Sequence, residues 1–156
     1  MVLGGVGGII WLVGLILIAI PNAIVANVGG IILGVGVLLA SFAAIGLWQK
    51  TKDVMAMLTF IFAMIGGIMF LVGGAVGFVS GWGGNIFLVG QLLFATSLIM
   101  LGLIINKMAS QLNTQGRLGM DLVFPAVITT MAGGCAAFGA AVTVTAPAAI
   151  ILAVMF

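Results

Sequence analysis

Apolar positions fill this chain in long, nearly unbroken stretches, and the polar positions collect in a few short gaps. The first stretch, from about Val2 to Ile20, meets Pro21-Asn22, a natural turn because proline cannot extend a helical ladder and asparagine tolerates turn geometry. A second apolar stretch runs from about Ala23 to Trp48, and the polar break Gln49-Lys50-Thr51-Lys52-Asp53 follows. A third covers about Val54 to Val79, the uncharged turn Ser80-Gly81-Trp82-Gly83-Gly84-Asn85 comes next, and a fourth covers about Ile86 to Ile105. About 20 helical residues cross a hydrocarbon core of roughly 30 Å. The pattern therefore predicts an all-α polytopic transmembrane helix bundle, with hairpins over 2–48 and 54–105.

The longest polar segment, 106–121, carries Met108, Leu112 and Leu118 at near-helical spacing. That spacing suits a short amphipathic helix on the membrane surface, broken near Gly116. Residues 122–156 are apolar, too many for one straight span and too few for two spans and a turn. The reading is a fifth span from about Leu122 to Val144 and a short apolar helix after Pro147. That last piece is a return helix, an interfacial helix or a truncated sixth span. The whole is a single integral membrane domain over 1–156 with about five spans.

One stretch is repeated. Gly7-Gly8-Ile9-Ile10-Trp11-Leu12-Val13-Gly14 returns as Gly66-Gly67-Ile68-Met69-Phe70-Leu71-Val72-Gly73, with six of eight residues identical. Val35-Gly36-Val37-Leu38-Leu39 has a counterpart in Val89-Gly90-Gln91-Leu92-Leu93. Both copies enter from the same side, so this is a parallel hairpin repeat, unlike the inverted repeats of alternating-access carriers. A fainter third copy at Gly133-Gly134 with Gly139 is within what composition alone produces.

Composition fixes the solvent. Charged residues make up 4% of the 156, apolar residues 65%, and the mean hydropathy is +1.53. A soluble domain carries about a quarter charged residues, so this surface belongs in lipid. Lys50, Lys52, Lys107 and Arg117 all fall in 49–53 and 106–121, two breaks separated by two spans. Both breaks then face one side, and the positive-inside rule makes it the cytoplasm, together with the N-terminus of a multi-pass protein of the cell membrane. The net charge of +2 reports topology and points to no nucleic acid. The first apolar stretch lacks a basic n-region and an obvious cleavage site, and reads as a retained span.

Candidate chemistry is sparse. Histidine is absent and Cys135 is the one cysteine, which removes thiolate metal clusters and the usual haem ligand. Met55, Met57, Met64 and Met69 raise a Cu(I) question, but with no histidine beside them packing is the better reading. No ionisable residue falls at mid-depth, where membrane enzymes and pumps place theirs. Asp53 and Asp121 sit at span ends as helix caps. Asn27 and Gln91 are the intramembrane amides, which bond to a neighbouring helix or line a polar path. Thr129, Thr130, Thr143 and Thr145 can bond back to their own helices. Gly4 and Gly8, Gly30 and Gly34, and Gly73 and Gly77 have the four-residue small-to-small spacing that lets helices approach closely, as do Ala132, Ala136 and Ala140.

The run Gly8-Ile9-Ile10-Trp11-Leu12-Val13-Gly14 through Pro21, followed by Gly30 to Gly36, resembles the HdeD-like family of small multi-pass membrane proteins. The resemblance covers the first hairpin well and the second in part, since Gly81-Trp82-Gly83-Gly84 has no proline and the family's six spans exceed those placed here. It implies a membrane protein associated with stress or acid resistance and carries over no catalytic residue. The functional expectation is a non-catalytic membrane subunit, without cofactor or metal. It would pack through glycine-rich faces into a homo-oligomer or a larger membrane complex, with lipid and other membrane subunits as partners. A passive pore lined by Gln91, Asn27 and the threonines is the alternative from the transport class. A structural membrane protein of a virion or other membrane-bound assembly is the third reading.

Overall fold

A computed structural model describes residues 2–113 and 125–137 of the chain. The described residues form helices α1 (Val2–Ile18), α2 (Ala23–Thr51), α3 (Val54–Gly77), α4 (Gly83–Asn113) and α5 (Pro125–Ala137), with no strand among them. Stretches within α2, α3 and α4 are long and apolar enough to cross a membrane, while α1 and α5 are apolar but shorter. The described residues are all-helical, as the long apolar runs predict.

Local chemistry sets the helix ends. Pro21 has no N–H to donate and restricts Ile20, so α1 stops before it. The Asn22 carboxamide oxygen accepts from the Ile24 and Val25 N–H groups at 3.0 and 3.3 Å, capping α2. At the other end Lys52 takes a left-handed conformation, φ 55°, and its N–H donates to the Trp48 carbonyl. The Asp53 carboxylate then caps α3 by accepting from Met55 N–H at 2.9 Å. Two elements differ in extent from the sequence pattern. Gln49, Lys50 and Thr51 belong to the last turn of α2, which leaves a two-residue break at 52–53. The polar start of 106–121 continues α4 without interruption to Asn113. Both have one reason: lysine and glutamine are good helix formers, and a helix can run out of hydrocarbon without unwinding. At 31 residues α4 is about 46 Å long, well beyond a core of about 30 Å. The remainder of that segment, with Gly116, Arg117 and Asp121, lies outside the described residues. So do Gly139, Ala140, Thr143, Thr145, Pro147 and the expected C-terminal helix.

Consecutive helices pack as antiparallel neighbours from α1 to α4. The contacts of Gly102 with Ala126 and Thr130, and of Gly133 with Ala95 and Ile99, lay α5 antiparallel along α4. Leu33, Val37 and Phe70 form the buried centre, with Trp11, Ile18, Phe87 and Phe94 around it. Elsewhere, Ile104 apart, the buried apolar positions are small residues such as Ala44, Ala56, Ala63, Ala95 and Ala109. Large apolar side chains point outward, Ile9 at 66% exposed and Ile16 at 65%. That inside-out size distribution suits helices whose solvent is hydrocarbon, where close backbone approach supplies the attraction.

A methyl group at Gly14 would stand 2.5 Å from the Leu33 nitrogen, whereas one at Gly8 meets no atom within 4 Å. Gly14→Ala is therefore expected to destabilise the bundle by about 1–3 kcal/mol, and Gly8→Ala to change stability by under about 0.5 kcal/mol. Reversible unfolding in mixed detergent micelles would measure both, and equal effects would refute the assignment of faces.

Candidate functional site: glycine seams and the apolar slot beside them

Among the described residues, the closest backbone-to-backbone approaches are made at glycines spaced seven apart. Gly7 and Gly14 on α1 oppose Gly36, Ala40 and Leu33 on α2, and Gly29 of α2 meets the Gly14 carbonyl. Gly66 and Gly73 on α3 oppose Gly90, Phe94, Phe87 and Gly83 on α4. Between α2 and α3, Gly34 meets Leu71 and Gly67, and Gly74 meets Asn27 and Ile31, all backbone to backbone at 2.7–2.8 Å from the position a Cβ would take. Seven residues is two turns, so the two notches of a pair lie on one face and hold it against its neighbour.

The glycines singled out by four-residue spacing divide among several faces. Gly30 and Gly34 both face α3, Gly4 faces Ala43 of α2, and Gly73 faces α4. Gly77 lies against the Asn27 side chain on α2, and its backbone is close to Gly83 of α4. Gly8 faces no neighbour within 4 Å. The seven-residue pairs are what that spacing misses, and the signal for them was the repeated octapeptide itself, which begins and ends on them.

Polar groups in the apolar helices are largely satisfied nearby. Gln91 Nε2 donates to the Ala136 carbonyl at 3.0 Å, joining α4 to α5. Thr129 and Thr130 donate to the carbonyls of Pro125 and Ala126 in their own helix. Ser41, Thr59 and Ser97 are buried, and their hydroxyls donate to carbonyls three or four residues back. Among the described residues no buried side-chain nitrogen or oxygen lacks a partner. No group of three or more His, Cys, Asp or Glu that could hold a metal occurs among them either. Cys135 is a free, exposed thiol on α5.

The described charges share one end of the bundle. Lys107 Nζ meets Asp53 Oδ2 at 2.9 Å, clasping the C-terminal half of α4 to the start of α3. Lys50 is in the last turn of α2, and Lys52 Nζ lies 5.1 Å from the centre of the Trp48 ring. The hydrogen bond from Lys107, and after it that from Met55 N–H, holds the Asp53 carboxyl below its ordinary value of 3.8.

An apolar slot of about 530 Å³ lies between α1 and α4, floored by α2 and α3. Gly4, Gly5 and Gly8 form its α1 wall, and Leu98, Leu101 and Ile105 its α4 wall. Trp11 and Phe94 close the inner end with an edge-to-face contact at 5.4 Å. The Ser41 and Thr59 hydroxyls in its floor are already engaged by Leu38 and Met55. The slot therefore presents methyl and methylene surface to whatever enters it.

Because the Asp53 carboxyl is held low when folded, its stabilising contribution is complete above its unfolded value. It is lost as the pH falls through the lowered folded value. Unfolding stability is expected to hold constant from neutral pH down to about 5 and to drop below about 4, with Asp53→Asn reducing that drop. A drop of unchanged size in Asp53→Asn would place its cause elsewhere. Gln91→Leu is expected to cost about 0.6–1.7 kcal/mol through the lost bond between α4 and α5, read by the same unfolding assay.

No protein-family model matches the chain, and no curated protein or solved structure does so either.

Proposed function

We propose that this protein is a non-catalytic, multi-pass subunit of the cell membrane that acts as a scaffold or stabiliser within a homo-oligomer or larger membrane complex. The observation that carries the reading is the way its helices spend their special residues. Glycines bring backbone against backbone, while the serine and threonine hydroxyls and the Gln91 amide are used in holding the chain together. The alternative of a passive pore loses support from the same facts, because Gln91, Thr129 and Thr130 are engaged within the chain. Most of the notched faces close inside one protomer. Contacts between protomers would therefore use the exposed apolar faces, such as that of α1 bearing Ile9 and Ile16.

The same reading includes a duplicated hairpin. Gly7 and Gly14 correspond to Gly66 and Gly73 at an offset of fifty-nine, and their partners Leu33, Gly36 and Ala40 to Phe87, Gly90 and Phe94 at an offset of fifty-four. Matched contacts at constant offsets support two copies of one packing unit, with α1 and α5 as further spans and a turn shortened by five residues in the second copy. A role in stress or acid resistance, as the HdeD-like resemblance implies, is compatible with such a subunit. The lysine end and the N-terminus face the cytoplasm, following the positive-inside rule.

Sizing of the protein in mild detergent, with native mass spectrometry, is expected to give a defined assembly of more than one chain. A strictly monomeric particle at every detergent concentration would count against the subunit reading. In a Cys135→Ala background, Thr51→Cys is expected to react with a membrane-impermeant maleimide only from the cytoplasmic face and Gly81→Cys only from the opposite face. Labelling of both from one face would overturn the topology.

A further inference from the structure

We propose that the slot between α1 and α4 holds one acyl chain of an anionic phospholipid, drawn from the leaflet at the lysine end, with the lipid phosphate against Lys50. The proposal rests on the membrane reading and is independent of the scaffold role.

Length comes first. The slot is lined along α4 from Phe94 to Ile105, twelve residues spanning about 16 Å of helix. That is half of a hydrocarbon core of about 30 Å, the depth one leaflet occupies. The Trp11–Phe94 contact lies at this depth, between the slot and a separate apolar recess of about 310 Å³. Volume agrees, since about 530 Å³ falls within the range of about 300–1,000 Å³ typical of small-molecule sites.

Chemistry then selects the occupant. A polar solute would find no unengaged hydroxyl in the floor, because Ser41 and Thr59 already donate to their own helix. An alkyl chain needs none. Gly5 and Gly8 leave the α1 wall without side chains where a Cβ would meet no atom within 4 Å, so the space is open.

Charge identifies the headgroup. Ala43 and Leu47 of α2 line the slot and also a second, smaller groove of about 260 Å³ that continues along Phe42 and Gly46 to Lys50. Lys107 is paired with Asp53 and Lys52 lies over Trp48, but no carboxylate is within ion-pair distance of Lys50 among the described residues. Two apolar recesses that share a wall, with an ammonium that meets no described carboxylate at the end of one, match a diacyl lipid bearing a phosphate. The second chain would lie along the smaller groove.

The test is native mass spectrometry of full-length protein released from vesicles of equal phosphatidylglycerol and phosphatidylcholine. Wild type is expected to retain one phospholipid per chain, enriched in phosphatidylglycerol. Gly8→Leu fills the slot and should lower retention about tenfold or more, since two excluded methylenes already suffice, with the melting temperature unchanged. Lys50→Gln should keep the lipid and lose about fivefold of the preference for phosphatidylglycerol. Gly5→Leu provides a second slot-filling variant if Gly8→Leu fails to fold. The proposal is overturned if wild type retains no lipid, if filling the slot leaves retention intact, or if Lys50→Gln keeps the full preference. A Gly8→Leu protein that changes from dimer to monomer with lipid retention unaltered would assign the slot to a second copy of the chain and overturn it equally.

Discussion

Hydrocarbon gives two apolar helices no reason to associate, because lipid tails satisfy a leucine as well as another leucine does. What remains is van der Waals contact at close range, and the backbone is the densest surface available. Every strong interface in this bundle obeys that constraint. The α1–α2 and α3–α4 seams each pair seven-spaced glycines on one helix with seven-spaced glycines on the other, Gly7 and Gly14 with Gly29 and Gly36, Gly66 and Gly73 with Gly83 and Gly90. A seven-residue repeat falls slightly short of two ideal turns, which favours the left-handed crossing common in membrane bundles. The four-residue spacing tied to right-handed pairs appears at Gly30 and Gly34, on the α2 face toward α3. With backbones this close, the centre has room for one aromatic cluster, Phe70 with Phe87 at 4.7 Å and with Phe94 at 6.0 Å.

Polar chemistry is arranged so as not to disturb these seams. Asn22 and Asp53 cap the N-termini of α2 and α3, and the left-handed Lys52 finishes α2. Asp53 has two tasks, since it also receives Lys107 and ties the two ends of the α3–α4 hairpin. Inside, buried hydroxyls bond back to their own helices, which costs no interhelical geometry. Gln91 is the exception. It spends its amide across a helix boundary on Ala136, in the last described turn of α5.

Much of this was legible in the residues. Apolar run length and the positions of Pro21, Asn22 and Asp53 gave helix starts within a few residues for α2 and α3, because caps and proline act locally. The reach of α2 to Thr51 and of α4 to Asn113 was harder to see. Polarity marks where hydrocarbon stops and says little about where a helix stops, and Gln49, Lys50, Gln111 and their neighbours are content in both water and helix. Among the glycines, the four-residue motif found Gly30 and Gly34 but grouped Gly4 with Gly8, which face different surroundings. Two of the seven-residue pairs, Gly7 with Gly14 and Gly66 with Gly73, were present in the repeated octapeptide, yet a single chain's spacing cannot say which of its many glycines meets a partner. The slot could not be read from sequence at all. It arises where α1 and α4 stand apart on either side of Trp11 and Phe94, and such a separation belongs to the assembled bundle.

The bundle depends on the spacing between helix axes. Ordinary side-chain packing sets axes 8–10 Å apart, and glycine meeting glycine should bring them closer. The most direct measurement is a density map of the protein in a lipid nanodisc, read at the levels of Gly7 with Gly36 and of Gly66 with Gly90. Axes under about 8 Å apart at both levels are the expected result. Separations of about 9–10 Å, or a map in which α1 is not beside α2, would contradict it.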